Sequence, residues 1–397
     1  MWNKTVLPIS LLAGTVIGAG VFSLPYVFKT TGFWLSVAYG ALFCCVAIST
    51  FLMYADLLRQ HPGMRYVGLM RSYFGARGYY MSFLLDTVQL FLALTVYVVL
   101  SESFLRLILP GYSGGVYAIG FWLLGSLALF VRNKKEALEE FFALLGVLII
   151  MLVIAILGIK GFVQSGIADQ PFSYEFIFLP FGALLFSFSG RSVIPDLVSL
   201  TRGNRRVLKR SIIAGISIPL VLYLLFVVGV LGLSSEVSSD AVTGLLGQVY
   251  PSLLICIGVL GALTLWSSYV AIGENIRRTL AGDVGIPKYM AGLFVVMVPI
   301  ILFAFGLQNF IVLIALIGGL LTATEWACVA LMWRKSFKRD SIMRMPRMQN
   351  ANAAKEAVIP AEAGIHLLLP RFSYPLFLGV LGVLSIAFVY TLVEFVF

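Results

Sequence analysis

The sequence predicts an all-α polytopic membrane protein: two five-helix halves followed by an eleventh transmembrane helix. Three observations lead there. The chain of 397 residues is 60% hydrophobic and only 12% charged, with a mean hydropathy of +1.00, whereas a soluble domain is roughly a quarter charged. Apolar runs long enough to cross a bilayer recur from one end to the other. The basic residues collect in alternate loops, as the topology of a polytopic chain requires.

The runs place spans at 5–28, 33–58, 79–109, 115–131, 138–161, 173–197, 209–233, 250–276, 288–306, 309–333 and 373–397. The N-terminus and the loops after spans 2, 4, 6, 8 and 10 hold 24 of the 28 Lys and Arg residues. The opposite loops hold Lys29, Arg106 and Lys160. Positive loops stay in the cytoplasm, so the expected layout is an inner-membrane protein with its N-terminus inside and its C-terminus outside. The same loops account for the net charge of +10 as a topology signal rather than a nucleic-acid surface. The first run follows Lys4 as a signal peptide would, but it is long for one and ends at no clear cleavage site.

Span 1 carries Gly14, Gly18 and Gly20 and ends near Pro25; span 6 carries Ser187, Ser189, Gly190 and Arg191 at mid-depth, then Pro195. Glycine and proline oppose a continuous helix, and unwound backbone survives in hydrocarbon only where protein buries it or it lines a polar cavity. The two breaker-rich spans lie five apart. That spacing suggests inverted repeats over 1–161 and 173–333, with a ligand site at the bilayer midplane. Close helix packing through small residues also fits, since Gly14 and Gly18 have GxxxG spacing. The segment 334–372 is polar and without clear period, and is expected to be a cytoplasmic, partly disordered linker before span 11 at 373–397.

Other chemistries lack their motifs. Cys44, Cys45, Cys256 and Cys328 lie within apolar runs with no zinc spacing and read as packed thiols; the two histidines, His61 and His366, fall in loops. There is no H-E-x-x-H, nucleophile elbow or phosphate-binding G-x-x-x-x-G-K-[ST]. An enzyme and a nucleotide-driven pump are therefore not expected. A sensor built on a transporter fold, binding ligand without turnover, is the alternative to a carrier.

The stretch "GTVIGAGVFSLPY" resembles the first-helix motif of the amino acid/auxin permease family, within the amino acid–polyamine–organocation superfamily of LeuT-like fold. It matches at Gly14, Thr15, Ile17, Gly18, Gly20, Leu24 and Pro25. Phe186, Phe188, Gly190 and Pro195 resemble that family's sixth-helix segment, from which Arg191 departs. The bacterial aromatic and hydroxy amino acid permeases are the branch it is most similar to. The resemblance implies a secondary amino acid transporter, an ion-coupled symporter working by alternating access. The substrate carboxylate would dock on free N–H groups near Thr15, Gly18, Ala19 and Gly20, where a half-helix begins. The ammonium group would meet carbonyls around Phe186, Ser187, Phe188 and Ser189. Phe186, Phe188 and Tyr97 would wall the side-chain pocket, unless they serve ordinary packing.

Ionisable residues within spans are candidates for coupling or gating. Asp86 would pair with a loop arginine or carry a coupling proton, with Glu325 the alternative carrier of that proton. Arg191 would pair with Asp196 at the inner side or meet a substrate carboxylate. Glu102 reads as a solvated span end, and Asp56 and Glu274 lie within reach of loop arginines. The resemblance also implies a sodium site built from carbonyls of Gly14, Ile17 and Thr264 and hydroxyls of Ser267 and Ser268; the competing reading has these serines bonding their own helix. Sodium and proton both remain as coupling ions. The expected partners are an amino acid and the lipid bilayer, with no other cofactor; no oligomeric state follows from the sequence.

Overall fold

The computed structural model describes residues 2–131, 136–166, 171–202, 204–234, 236–282, 285–349 and 374–396. Among these residues every regular element is a helix. The helices are α1 (Trp2–Val16), α2 (Leu24–Thr31), α3 (Phe33–Gln60), α4 (Tyr66–Ile108), α5 (Gly114–Val131), α6 (Glu136–Ser165), α7 (Leu179–Ser187), α8 (Ile194–Leu200), α9 (Arg205–Leu233), α10 (Pro251–Gly282), α11 (Lys288–Ala304), α12 (Phe310–Ala315), α13 (Ala323–Gln349) and α14 (Tyr374–Val396). Among the described residues, eight helices are long and apolar enough to span a membrane. Thr5–Val16 and Ala19–Thr31, bent by 50°, form a ninth, and Gly114–Phe130 and Lys288–Ala304 are shorter apolar helices at two further expected spans.

The breakers act as punctuation. Pro25, Pro180 and Pro195 each stand in the first turn of their helix, where the missing N–H would have had no partner anyway. Gly32 turns α2 into α3 with φ +113, and a Cβ there would meet Phe172 backbone at 2.8 Å. Asn204 caps α9, its side-chain oxygen accepting from the amides of Arg206 and Val207 at 3.1 and 3.2 Å.

Three segments differ from the expectation. The loop after span 2 is shorter than expected, because α4 already begins at Tyr66 and kinks at Gly75 (φ 69, ψ −154). Span 10 is not one regular helix: α12 passes into a π-helix over Leu316–Thr322 before α13. Gly318 there rests against the Gly182 carbonyl of α7, an approach only possible without a Cβ. Finally, α13 continues to Gln349, so the first part of the expected 334–372 linker is helical; residues 350–373 lie outside the described residues. Of the expected packed thiols, Cys44 and Cys328 are buried, whereas Cys45 and Cys256 sit on exposed helix faces.

Helix α6 packs backbone to backbone on α9, where Gly158 faces Gly229 and Gly161 faces Gly232. Small residues supply this kind of seam where lipid removes the hydrophobic drive between helices. Helix α9 in turn supports α1, and α4 lies along α10. The interrupted segments 17–23 and 188–193 are thereby enclosed by α3, α4 and α9.

Candidate functional site

The two interruptions meet. Helix α1 stops at Val16, Gly18 is extended (φ −133, ψ −159), and a 3-10 turn over Ala19–Ser23 leads into α2. Helix α7 stops at Ser187, Gly190 stands at φ −169 and ψ 16, and a 3-10 turn over Arg191–Val193 leads into α8. The contacts are reciprocal. A Cβ on Gly20 would fall 2.6 Å from Ser187 Oγ and 2.9 Å from Ser187 Cα, and a Cβ on Gly190 would fall 2.7 Å from Val16 Cγ2. Each break thus admits the last helical residue of the other. Around the Cβ position of Gly18, by contrast, no heavy atom beyond its two chain neighbours lies within 4 Å.

A residue the sequence reading missed joins the two. The Tyr223 hydroxyl, on α9 and buried, lies 2.8 Å from the Val16 carbonyl and 2.9 Å from the Ser187 carbonyl. Both are C-terminal carbonyls that their half-helices leave without an intrahelical donor. One hydroxyl has one proton, so it donates to one carbonyl at a time. Ser187 Oγ is buried beside them with no hydrogen-bond partner. The available signal was a phenol deep within an apolar span, which must find a partner.

The other expected substrate residues divide. Ala19 and Gly20 are buried at the junction and Phe186 borders it, its ring edge 2.9 Å from the Gly20 Cβ position. Ser189 lies in the break, its amide donating to the Phe186 carbonyl at 3.1 Å. Phe188 is fully buried against the Tyr223 ring, with centroids 5.8 Å apart, and so supports the break. Thr15 is exposed, and its hydroxyl donates to Leu11 of its own helix at 2.8 Å. The Tyr97 hydroxyl lies beside Ser268.

The residues expected to hold sodium fall along α1 and α10, with α6 beside both. Gly14 faces Leu144, and Gly146 faces the Thr264 hydroxyl, which donates to Leu260 four residues back at 2.8 Å. The Ile17 amide donates to Ala13 at 2.9 Å. Ser267 Oγ is buried without a partner, as a cation ligand would be.

Directly after the second break lies a charged cluster. Arg191 does not pair with Asp196, which is exposed and faces Arg65 at 3.8 Å. The arginine turns instead to α4 and α13: Nη2 donates to Asp86 Oδ1 at 2.8 Å, and Nε donates to Glu325 Oε1. Asp86 accordingly pairs with an arginine of span 6 rather than of a loop. The guanidinium also stacks on Tyr66, 3.9 Å from the ring centroid, and lies 5.9 Å from that of Tyr54. Stacking and bidentate reach are properties of Arg that Lys lacks. Asp56 and Glu274 do meet neighbouring arginines, Arg59 at 3.7 Å and Arg277 at 2.7 Å. About 24 Å further along α4, Glu102 pairs with Arg106 and borders a cavity of about 520 Å³ that Tyr26, Asp240 and Asn309 also line.

Discontinuous helices that meet inside a membrane bundle define a class. The chain is similar to Mhp1 in its inward-facing conformation, with a TM-score of 0.62 at 15% identity over 81% of this chain and 76% of that one. It is similar to MhsT in complex with L-phenylalanine, with a TM-score of 0.60 at 13% identity over 97% of both. The fold is that of the LeuT-like transporters. Residues 1–273 match the model of the tryptophan/tyrosine permease family, and the chain belongs to that family. The chain is thus a multi-pass membrane protein of that permease family. The tyrosine-specific transport system 1 of Haemophilus influenzae is 25% identical over 241 residues; the match spans 59% of the length of each chain.

Proposed function

We propose that this protein is an ion-coupled symporter of aromatic amino acids, tyrosine and tryptophan foremost, that alternates access around the junction of residues 17–20 and 187–190. The observation that carries the reading is that junction itself. Two helix ends, the partnerless Ser187 Oγ and the open space at Gly18 converge there, so donors and acceptors for both ends of a zwitterion stand within one small volume. The substrate carboxylate docks at Gly18 and Gly20, at the positive end of the second half of span 1. The ammonium group takes the Val16 or Ser187 carbonyl that Tyr223 leaves free, with Ser187 Oγ. Phe186 and Tyr97 face the aromatic side chain. The family match and the tyrosine-transporting relative support the substrate class.

Sodium and proton are the two coupling ions to be distinguished. Ser267 and Ser268 are the hydroxyls through which α10 would hold sodium, and the partnerless Ser267 suits that role. In this reading the N-terminus lies in the cytoplasm and the C-terminus outside, following the basic loops. The test is counterflow of labelled tyrosine and tryptophan in proteoliposomes. Exchange of an aromatic amino acid is expected. Binding without exchange would make the protein a sensor, and neither binding nor exchange would refute the substrate class.

A further inference from the structure

The Arg191 cluster is out of charge balance. One guanidinium serves two carboxylates, Asp86 and Glu325, at a depth where an uncompensated charge is costly. The other groups packed around it do not restore the balance. From α3 and the start of α4 come the phenols of Tyr54 and Tyr66, and from α13 the thiol of Cys328 beside Tyr66, all neutral as protonated. From α1, Leu12 and Val16 approach Gly190 and bring no charge. The ion pairs Asp56 with Arg59 and Asp196 with Arg65 each bring one charge of either sign. Among the described residues, the cluster is one negative charge in excess.

The three members differ in exposure. The Glu325 side chain is 4% exposed and Arg191 14%, while Asp86 keeps 27%. They also differ in what they hold. Arg191 begins the second half of span 6, one residue beyond Gly190, and its two carboxylates tie that half to α4 on one side and α13 on the other.

We propose that this cluster is a proton-binding site: one proton from solvent enters at the Asp86 carboxylate, neutralises the excess charge, and releases Arg191 from α4 while Glu325 retains it. The balance is simple. The pair of carboxylates with one arginine passes from net −1 to net zero by gaining one proton: an O–H bond forms on Asp86, the hydrogen bond from Arg191 to Asp86 is given up, and no other covalent bond forms or breaks. Arg191 follows directly on the junction that opposes Val16 and Gly20, so release from α4 reaches the ligand-bearing segment through three residues of backbone. As the site of coupling, the inference rests on the transport reading above; as a titrating cluster, it stands alone.

Two measurements on the full-length protein separate those levels. The first is infrared difference spectroscopy across pH in detergent. The wild type should show a protonated-carboxyl C=O band appearing on acidification. Asp86→Asn and Glu325→Gln should each lose it, because either change leaves one carboxylate for one arginine. A band that persists unchanged in both variants overturns the proposal, whatever transport shows. The second is tyrosine uptake into proteoliposomes at zero membrane potential. A one-unit inward proton gradient coupled to one proton supports about tenfold accumulation. The wild type should approach that value. Asp86→Asn, which mimics the protonated state, should show no accumulation above equilibration while retaining counterflow within about threefold of wild type, and Glu325→Gln, which leaves Arg191 held by Asp86, should lose both, a split that a purely structural ion pair would not produce. Accumulation driven by sodium alone in the wild type, or by the proton gradient in both variants, overturns the coupling role. Absence of counterflow in the wild type strikes the transport reading and leaves the infrared result to decide the cluster. Should one amide variant fail to fold, the other carries both measurements.

Discussion

Alanine at Gly18 and at Gly20 should fail in different ways, and the difference separates a ligand site from helix packing. Gly18 is extended, with φ −133 and ψ −159, a conformation alanine adopts freely, and its added Cβ has no heavy atom beyond its two chain neighbours within 4 Å. Gly18→Ala should therefore change stability by no more than about 0.5 kcal/mol. Its methyl group would nevertheless stand where the substrate carboxylate approaches the backbone. Losing one hydrogen bond to a charged group costs about 1.5–3 kcal/mol, a weakening of tyrosine binding by about 10- to 150-fold. At Gly20 the Cβ would lie 2.6 Å from Ser187 Oγ and 2.9 Å from Ser187 Cα. The hydroxyl can rotate away, but the Cα is backbone, so the two breaks must move apart. Overpacking of this kind costs about 1–3 kcal/mol, and Gly20→Ala should unfold at a lower temperature even without ligand. Thermal unfolding of the purified variants without ligand, followed by calorimetric titration with tyrosine, reads both quantities. Wild-type affinity in Gly18→Ala, together with wild-type stability in Gly20→Ala, would refute both halves of the reasoning.

Tyr223→Phe removes the hydroxyl shared by the Val16 and Ser187 carbonyls; a loss of about 1–3 kcal/mol is expected, seen as a lower unfolding midpoint, with tyrosine affinity falling as well. Thr15→Val should leave counterflow within about twofold of wild type, since the hydroxyl serves its own helix and exposed substitutions of this kind are close to neutral; a larger loss would place Thr15 in the site. Gly229→Val would set its side chain against Ile154 and Ala155 backbone at 2.6 Å, and because backbone cannot yield as a side chain can, the variant should lose stability by about 1–3 kcal/mol or more in a denaturant titration. Ser267→Ala should leave tyrosine binding insensitive to sodium if the ion sits at α10; equal sodium sensitivity in wild type and variant would dismiss that site.

Much of the architecture was legible in the residues. Composition and run length dictate a bundle of membrane helices, because backbone polar groups in hydrocarbon have no partner except one another. The breakers of spans 1 and 6 located both interruptions to within a few residues, since glycine, serine and proline act on the chain locally, whatever packs around them. That Arg71 and Arg77 ride on α4 was not readable, because no local signal opposed either a loop or a helix there. Which charged groups find one another was decided by the tertiary structure alone. Asp196 is near Arg191 in sequence, yet the 3-10 turn over Arg191–Val193 sends the guanidinium inward and leaves Asp196 on the outer face beside Arg65. Asp86 and Glu325 lie more than a hundred residues away on either side and meet Arg191 only once α4 and α13 pack around span 6. Tyr223 belongs to the same category: its hydroxyl serves two carbonyls from helices that the sequence separates and the fold joins. Backbone preference and burial are properties of a stretch of chain, and so can be read from it. Ion pairs and shared hydrogen bonds depend on distances of a few ångströms between remote residues, and only packing sets those.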